Sequence, residues 1–353
     1  MKIFYYKKII IIILLFFLIF EKKKNNAPKI SVFLPIYNMG KYLKRALLNI
    51  QNQTLKNIEI IAVNDCSNDN TLEILKGFAE RDNRIKIINN KKNRGLLYSR
   101  AMGILHSSGQ YLMNFDADDE FANSDDLEYL YNKAIASNAD IISYEFLLQK
   151  PTINFINPCD KFDVIIKQPK LFDSIYSTNY ILKDFLIWNK LIKKTIYLKS
   201  FSFFEKYIYS DKKWNYHEDN IWSILVNKFA HSKLCVNKII YKYNNNYNNN
   251  SLSNKRQNFI EFNNIIYRFD MIRNIFKSKL NYNYMKSECS LNANNIYFNN
   301  NFRNYIASNS ELKIIIIYNL YNCLNNNYRI EKENKKYIVN LLFFFVDNIN
   351  KIK

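Results

Sequence analysis

The chain has 353 residues, 48% of them hydrophobic and 16% aromatic, enough to bury a sizeable core in one large domain or two ordinary ones and too apolar for a disordered tail. A formal net charge of +20 favours phosphate-rich partners in general, whether nucleic acid, an anionic membrane surface or a nucleotide-bearing substrate, without choosing among them. Five widely separated cysteines without a CxxC pair exclude a zinc knuckle and a dense disulfide framework, and leave a single disulfide open.

In chain order, Lys7 and Lys8 precede an apolar run over residues 9–20, which Glu21 and Lys22 to Lys24 close. At about 1.5 Å per residue this run spans about 18 Å, short of a hydrocarbon core of about 30 Å. Residues 3–6 lengthen it enough for a short anchor whose lysines reach the interfaces. We therefore expect residues 1–24 to be an N-terminal hydrophobic anchor or signal, giving a single-pass membrane protein, facing the endoplasmic reticulum or Golgi lumen if the source is eukaryotic. A cleaved signal remains open although no small-residue cleavage site follows, as does a buried helix.

After a polar linker at 25–29, apolar strands alternate with amphipathic helices. A strand is expected at 30–36 and a helix carrying Leu43, Ala46, Leu47 and Ile50, then a strand at 58–63. The pattern Asn70 to Glu73 opens a helix near 71–80, followed by a strand at 85–88, a helix at 96–106 and a strand at 111–115. This is the rhythm of an α/β fold with a central, mostly parallel sheet. Beyond residue 150 the rhythm weakens: 187–191 and 221–229 read as core segments, 243–250 as an Asn-rich loop, and the chain after 255 as helical, with an apolar stripe of Phe262, Ile265, Phe269, Ile272 and Phe276.

The strand at 111–115 runs directly into Asp116, Asp118, Asp119 and Glu120. Carboxylates so close repel one another, so the cluster is either fully solvated or neutralised by a divalent cation or a ligand that carries one. Its place at the carboxyl end of a strand favours the second reading, because open parallel sheets bind ligands there. The five glycines never fall as GxG and no GK[ST] occurs, so glycine-based phosphate cradles are excluded. An EF-hand fails too, since the sixth position from Asp116 is Phe121 instead of glycine.

The segments ISVFLPIYN, EIIAVNDCSNDNT, NRGLLYSRAMGILHSSGQYLMNFDADD and HEDNIW, in this order, resemble the family 2 glycosyltransferases. The resemblance covers roughly residues 28–255 as a glycosyltransferase domain and leaves 256–353 as a helical extension. It implies a Rossmann-like, nucleotide-diphospho-sugar-binding fold of the glycosyltransferase A type. It also implies transfer of a sugar, expected to be UDP-linked, to an acceptor hydroxyl with inversion. By the same resemblance Asp65 recognises the base, Asp116 faces the ribose, and Pro35 and Tyr37 line the nucleotide-sugar site. Asp118 holds a divalent metal, manganese or magnesium, and Asp219 is the catalytic base. Glu218 and Trp188 fall on the acceptor side, where Trp188 either stacks on a sugar or is simply buried. Two alternatives come from the residues alone: NDCSND as an Asx-capped turn, and His217 as the base.

Arg100 matches an arginine of the family, read here as a structural ion pair, whereas Ala101 and Cys66 replace its usual asparagine and glycine. Those departures support an alternative, a catalytically inactive relative that binds nucleotide sugar or carbohydrate. The expected partners are a nucleotide-diphosphate sugar, a carbohydrate, protein or lipid-linked acceptor, and the membrane. No concentrated basic motif points to nucleic acid.

Overall fold

The computed structural model describes residues 27–148, 162–168, 186–209 and 218–244. The expected anchor at 1–24, most of the Asn-rich stretch, His217 and the helices expected after 255 lie outside the described residues. Among the described residues no helix is long and apolar enough to cross a membrane.

The described strands are β1 (Ile30–Ile36), β2 (Ile58–Asn64), β3 (Ile85–Asn89), β4 (Tyr111–Asn114), β5 (Glu120–Phe121), β6 (Ile141–Leu148), β7 (Ile165–Lys167), β8 (Lys190–Lys193) and β9 (Ser232–Tyr243). The helices are α1 (Gly40–Gln51), α2 (Thr71–Ala79), α3 (Leu96–His106), α4 (Asp126–Ser137), α5 (Lys194–Ile208) and α6 (Glu218–Phe229). The strands form one sheet in the order β3-β2-β1-β4-β8-β6-β9-β5, with β7 also paired to β9. The first four strands are parallel, β8 runs antiparallel between β4 and β6, and β9 lies parallel to β6.

β1 and β2 are apolar on both faces because helices cover both. Ile30, Val32 and Leu34 of β1 pack with Ile60 and Ala62 of β2 on the side of α1, α2 and α4. Phe33, Ile61 and Val63 face the opposite way, onto α3, α5 and α6. Leu43, Ala46, Leu47 and Ile50 form the buried stripe of α1, as their spacing predicts. Gly103 lets α3 lie close to the sheet, since a Cβ there would come within 2.7 Å of the Phe33 ring.

Two local expectations change. α2 begins where its capping pattern predicts, but Asn70 makes no side-chain cap. Asp69 does the anchoring instead, accepting from Thr71 N at 3.0 Å and from Gly40 N at 3.0 Å, which ties the start of α1 to that of α2. Tyr243, expected in a loop, ends the long strand β9.

The strand order reverses between β1 and β4, and that is where the sheet opens. Phe33 O still accepts from Phe115 N at 3.0 Å, but the β1–β4 register ends at Phe33 opposite Asn114. Two residues on, Pro35 directs the same edge of its backbone toward the gap. Having no N–H, it leaves no donor orphaned there. A crevice at such a reversal is the usual ligand position in open α/β sheets.

Candidate active site

Asp65 follows β2 at one wall of this crevice, and its backbone N–H donates to Ile36 O at 2.8 Å. Its carboxylate is buried and holds the loop before α3: Oδ1 accepts from Asn90 Nδ2 at 2.8 Å and Arg94 N at 2.9 Å, and Oδ2 from Gly95 N at 2.7 Å. A carboxylate has about four acceptor positions, and donors among the described residues fill three of them, leaving one for a ligand N–H. Gly95 takes φ 89° to present its N–H, a conformation that needs glycine. Asn64, which ends β2, donates to Asn89 Oδ1 at 2.7 Å and accepts from Ser67 Oγ at 2.6 Å. Cys66 is a half-buried free thiol at φ 59°. Tyr37 lies beyond the end of β1 with 42% of its surface exposed, and Pro35 is buried within that strand.

The acidic cluster is a fastened turn, not a solvated loop. Asp116 N donates to the Tyr241 hydroxyl at 3.0 Å, and Asp116 Oδ1 accepts from Asn114 Nδ2 at 3.0 Å. Arg45 of α1 donates to Asp118 O at 2.8 Å and pairs with Glu120 at 2.9 Å. Asn244, just past β9, donates its N–H to Asp119 Oδ1 at 2.8 Å and its amide Nδ2 to Asp118 O at 2.7 Å. Burial, aided by the neighbouring Asp116 charge, pushes the Asp118 carboxyl up to about 6. Burial followed by Asp118 and Asp116 pushes Asp119 well above the usual carboxylate range, against hydrogen bonds from the Asn244 N–H and the Tyr241 hydroxyl.

Among the described residues no three His, Cys, Asp or Glu side chains gather into a metal cage. A divalent ion that arrives on a nucleotide diphosphate needs only one or two protein carboxylates, the phosphates and water supplying the rest. Asp118 beside Asp116 meets that need, since burial and the Asp116 charge oppose ionisation of the Asp118 carboxyl until a cation offsets them. The donor set therefore fits a manganese or magnesium ion held jointly with a ligand.

Across the crevice, α6 opens with Glu218 and Asp219 in its first turn, where the helix dipole favours acids. The two carboxylates differ in access: the Glu218 side chain is 3% exposed and that of Asp219 24%. Both meet Arg100 of α3, whose Nη1 donates to Glu218 Oε1 at 2.6 Å and also to Asp219 Oδ1. Arg100 Nη2 pairs with Asp116 at 3.4 Å, and Nε donates to Asn114 Oδ1 at 3.1 Å. Burial raises the Glu218 carboxyl above its ordinary value, and Arg100 partly offsets that.

The structure thus gathers Asp116, Glu218 and Asp219 around one guanidinium, while Asp65 is tied to the same helix through Gly95. Glu218 faces inward on Arg100, which fits holding that cation better than touching an acceptor. Trp188 takes the buried alternative: at 5% exposure its ring stacks on Tyr241 at 4.9 Å and Tyr243 at 5.3 Å, with Phe146 edge-on at 4.7 Å. The sequence reading missed Arg45, Asn114, Tyr241 and Asn244. Asn114 carried a signal, as a polar residue ending an apolar strand just before the acids; Tyr241 and Asn244 carried none.

Residues 31–208 match the sequence model of glycosyl transferase family 2. Glycosyltransferase GlyA of Streptococcus pneumoniae is 36% identical over 175 residues, 48% of this chain and 25% of that protein. The cholesterol galactosyltransferase of Borreliella burgdorferi is 34% identical over 181 residues, 49% of this chain and 50% of that protein. The chain thus spans only a quarter to a half of these relatives' length. Among solved structures, S. aureus TarS 1-349 in complex with UDP-GlcNAc superposes with a TM-score of 0.63 at 14% identity, covering 91% of this chain and 89% of that one. That likeness shows the fold, the α/β arrangement of the glycosyltransferase A type. Half of the chain matches the family, from the first strand through the acidic turn to α5, and the chain therefore belongs to glycosyl transferase family 2.

Proposed function

We propose that the protein transfers a sugar from a UDP-sugar to an acceptor hydroxyl in one inverting, metal-assisted displacement. The observation that carries this reading is that a single guanidinium, Arg100, touches both Asp116 on the donor side and Asp219 on the far wall. Donor-side acid and base thus flank one crevice at the ends of the strands. The UDP-GlcNAc complex of the S. aureus neighbour supports uridine as the base.

In this mechanism Asp65 accepts from a base N–H through its remaining acceptor position, with Pro35 and Tyr37 along the same wall and Asp116 toward the ribose. Asp118 is the protein ligand of the divalent ion, which when bound supplies positive charge for a departing diphosphate. Asp219, the more accessible acid of the α6 turn, takes the proton of the acceptor hydroxyl. The acceptor oxygen forms a bond to the anomeric carbon as the bond from that carbon to the diphosphate oxygen breaks, its electron pair leaving with the phosphate. A single displacement inverts the centre. The N-terminal segment serves, in this proposal, as a membrane anchor that keeps the domain near its acceptor.

The test is to incubate the full chain in detergent with a panel of nucleotide sugars, with manganese, magnesium or a chelator. Released nucleotide diphosphate and the anomeric configuration of the product are then measured. Metal-dependent release from a UDP-sugar with inverted product is expected. Tight nucleotide binding without release, across donors and candidate acceptors, would instead identify an inactive relative.

A further inference from the structure

We propose that Arg100 is a positioning residue of the reaction: it aims the Asp219 carboxylate at the acceptor and the Asp116 carboxylate at the donor, fixing the line of attack between them. The inference rests on the transferase reading above. Arg100 is 2% exposed, and its donors are divided by direction: Nε to Asn114 Oδ1 at 3.1 Å, Nη1 to Glu218 and Asp219, Nη2 to Asp116. A plain structural ion pair would be complete with Glu218, the one carboxylate as buried as the arginine itself. The further contacts run to two partly exposed carboxylates that come from segments more than a hundred residues apart, Asp116 after β4 and Asp219 in α6. A rigid planar fork can set the angle between two such groups. A lysine ammonium, a point charge on a flexible stem, cannot.

The surroundings keep the fork from turning. Asn114 accepts from Arg100 Nε while its own amide donates to Asp116 at 3.0 Å, so the arginine and the donor-side acid are braced by one side chain. Glu218 holds Nη1 from beneath at 2.6 Å. The cation faces three carboxylates, so its removal would leave them to repel one another and swing toward solvent. Misplacing a reacting group by about 1 Å can cost about 10²-fold in rate.

The experiment is a double-mutant cycle on the full chain in detergent, with Arg100→Gln, Arg100→Lys, Asp219→Asn and each double variant. Turnover at saturating donor, calorimetric affinity for UDP with manganese, and melting temperature are measured for each. Arg100→Lys is expected to melt near wild type and bind UDP within about threefold, because Asn114 still donates to Asp116 and the lysine keeps the charge, yet turn over about 10²-fold more slowly, because charge without the fork does not rescue alignment. Adding an Arg100 substitution to Asp219→Asn is expected to cost clearly less rate than it costs the wild type, since the share that acts through Asp219 is already lost and only the share through Asp116 remains. Should Arg100→Gln fail to fold, the Arg100→Lys cycle decides alone. The inference is overturned if the two losses multiply, or if Arg100→Lys turns over within about twofold of wild type. A wild type that releases nucleotide diphosphate from no donor overturns the transferase reading and this inference with it, whereas multiplying losses in an active enzyme overturn the inference alone.

Discussion

Cys66 sits at φ 59°, in the left-handed region, directly after the aspartate that anchors the loop before α3. An L side chain there costs about 1–2 kcal/mol, against a smaller entropic cost for glycine in the unfolded chain. Among the described residues its Sγ meets only Lys91 O, at a long 3.8 Å. Cys66→Gly is therefore expected to raise the melting temperature by about 1–3 °C, read by calorimetry, and an unchanged or lower value would mean the thiol contact outweighs the strain. Asp82 allows a check by pH. Hydrogen bonds from Arg84, joined by one from Gln51 and outweighing burial, hold its carboxyl at about 2. A depressed folded-state value gives stability that is full above the unfolded value of about 3.9 and is lost as the pH falls toward 2. Asp82→Asn should thus be less stable than wild type by about 2 kcal/mol at pH 6, with the gap closing between about pH 4 and pH 2. At this scale the sequence showed where the acids fall, at the ends of apolar strands. It did not show what they touch: Glu218 and Asp219 meet Arg100 across 118 and 119 residues of chain, a separation no local pattern encodes.

Among the elements, those with a clean period were legible and those without were not. The stripe of α1 and the mostly apolar runs of β1 and β2, broken inside by Ser31 and Glu59, appear where the sequence places them. β9 was missed because Lys233, Asn237, Lys238 and Lys242 interrupt its apolar residues, and because its pairing with β6 slips in register around Glu145. Lys233 is nonetheless fully buried and Lys238 pairs with Asp125 at 3.0 Å and Asp126 at 3.1 Å, so residues that look solvated in the sequence are part of the packed sheet. The missed strand matters to the site, since it delivers the Tyr241 hydroxyl and Asn244 to the acidic turn. Asn244→Ala keeps the backbone hydrogen bond to Asp119 but loses the amide donor to Asp118 O. The expected outcome is a stability loss of about 1 kcal/mol together with about tenfold weaker UDP binding in manganese and little change in chelator. Equal weakening with and without metal would show that Asn244 supports the fold and not the metal-side turn.

For the molecule as a whole, strand order converts two distant stretches of chain into one crevice. Asp65, Asp116 and Asp118 all belong to the first part of the chain and follow β2 and β4, whereas Asp219 enters on α6, after β8 has inserted antiparallel beside β4. Helix α3 joins the two, with Gly95 against Asp65 at its start and Arg100 against Asp219 along its length. The proposed donor side follows from residues that cluster in one α/β run; the proposed base rests on the family resemblance, because a Glu-Asp pair opening a helix is ordinary capping chemistry. This division predicts that donor binding and chemistry separate under mutation. Asp219→Asn keeps the shape of the side chain and a hydrogen-bonding oxygen for Arg100, but its amide cannot accept the acceptor proton. Turnover at saturating donor and acceptor should fall by about 10²–10⁴, or about 3–5 kcal/mol of barrier, while calorimetric affinity for UDP with manganese stays within about threefold of wild type. Near-normal turnover would remove Asp219 as the base and turn attention to Glu218 or His217. A large loss of UDP affinity would instead place Asp219 on the donor side, joined to Asp116 through the guanidinium they share.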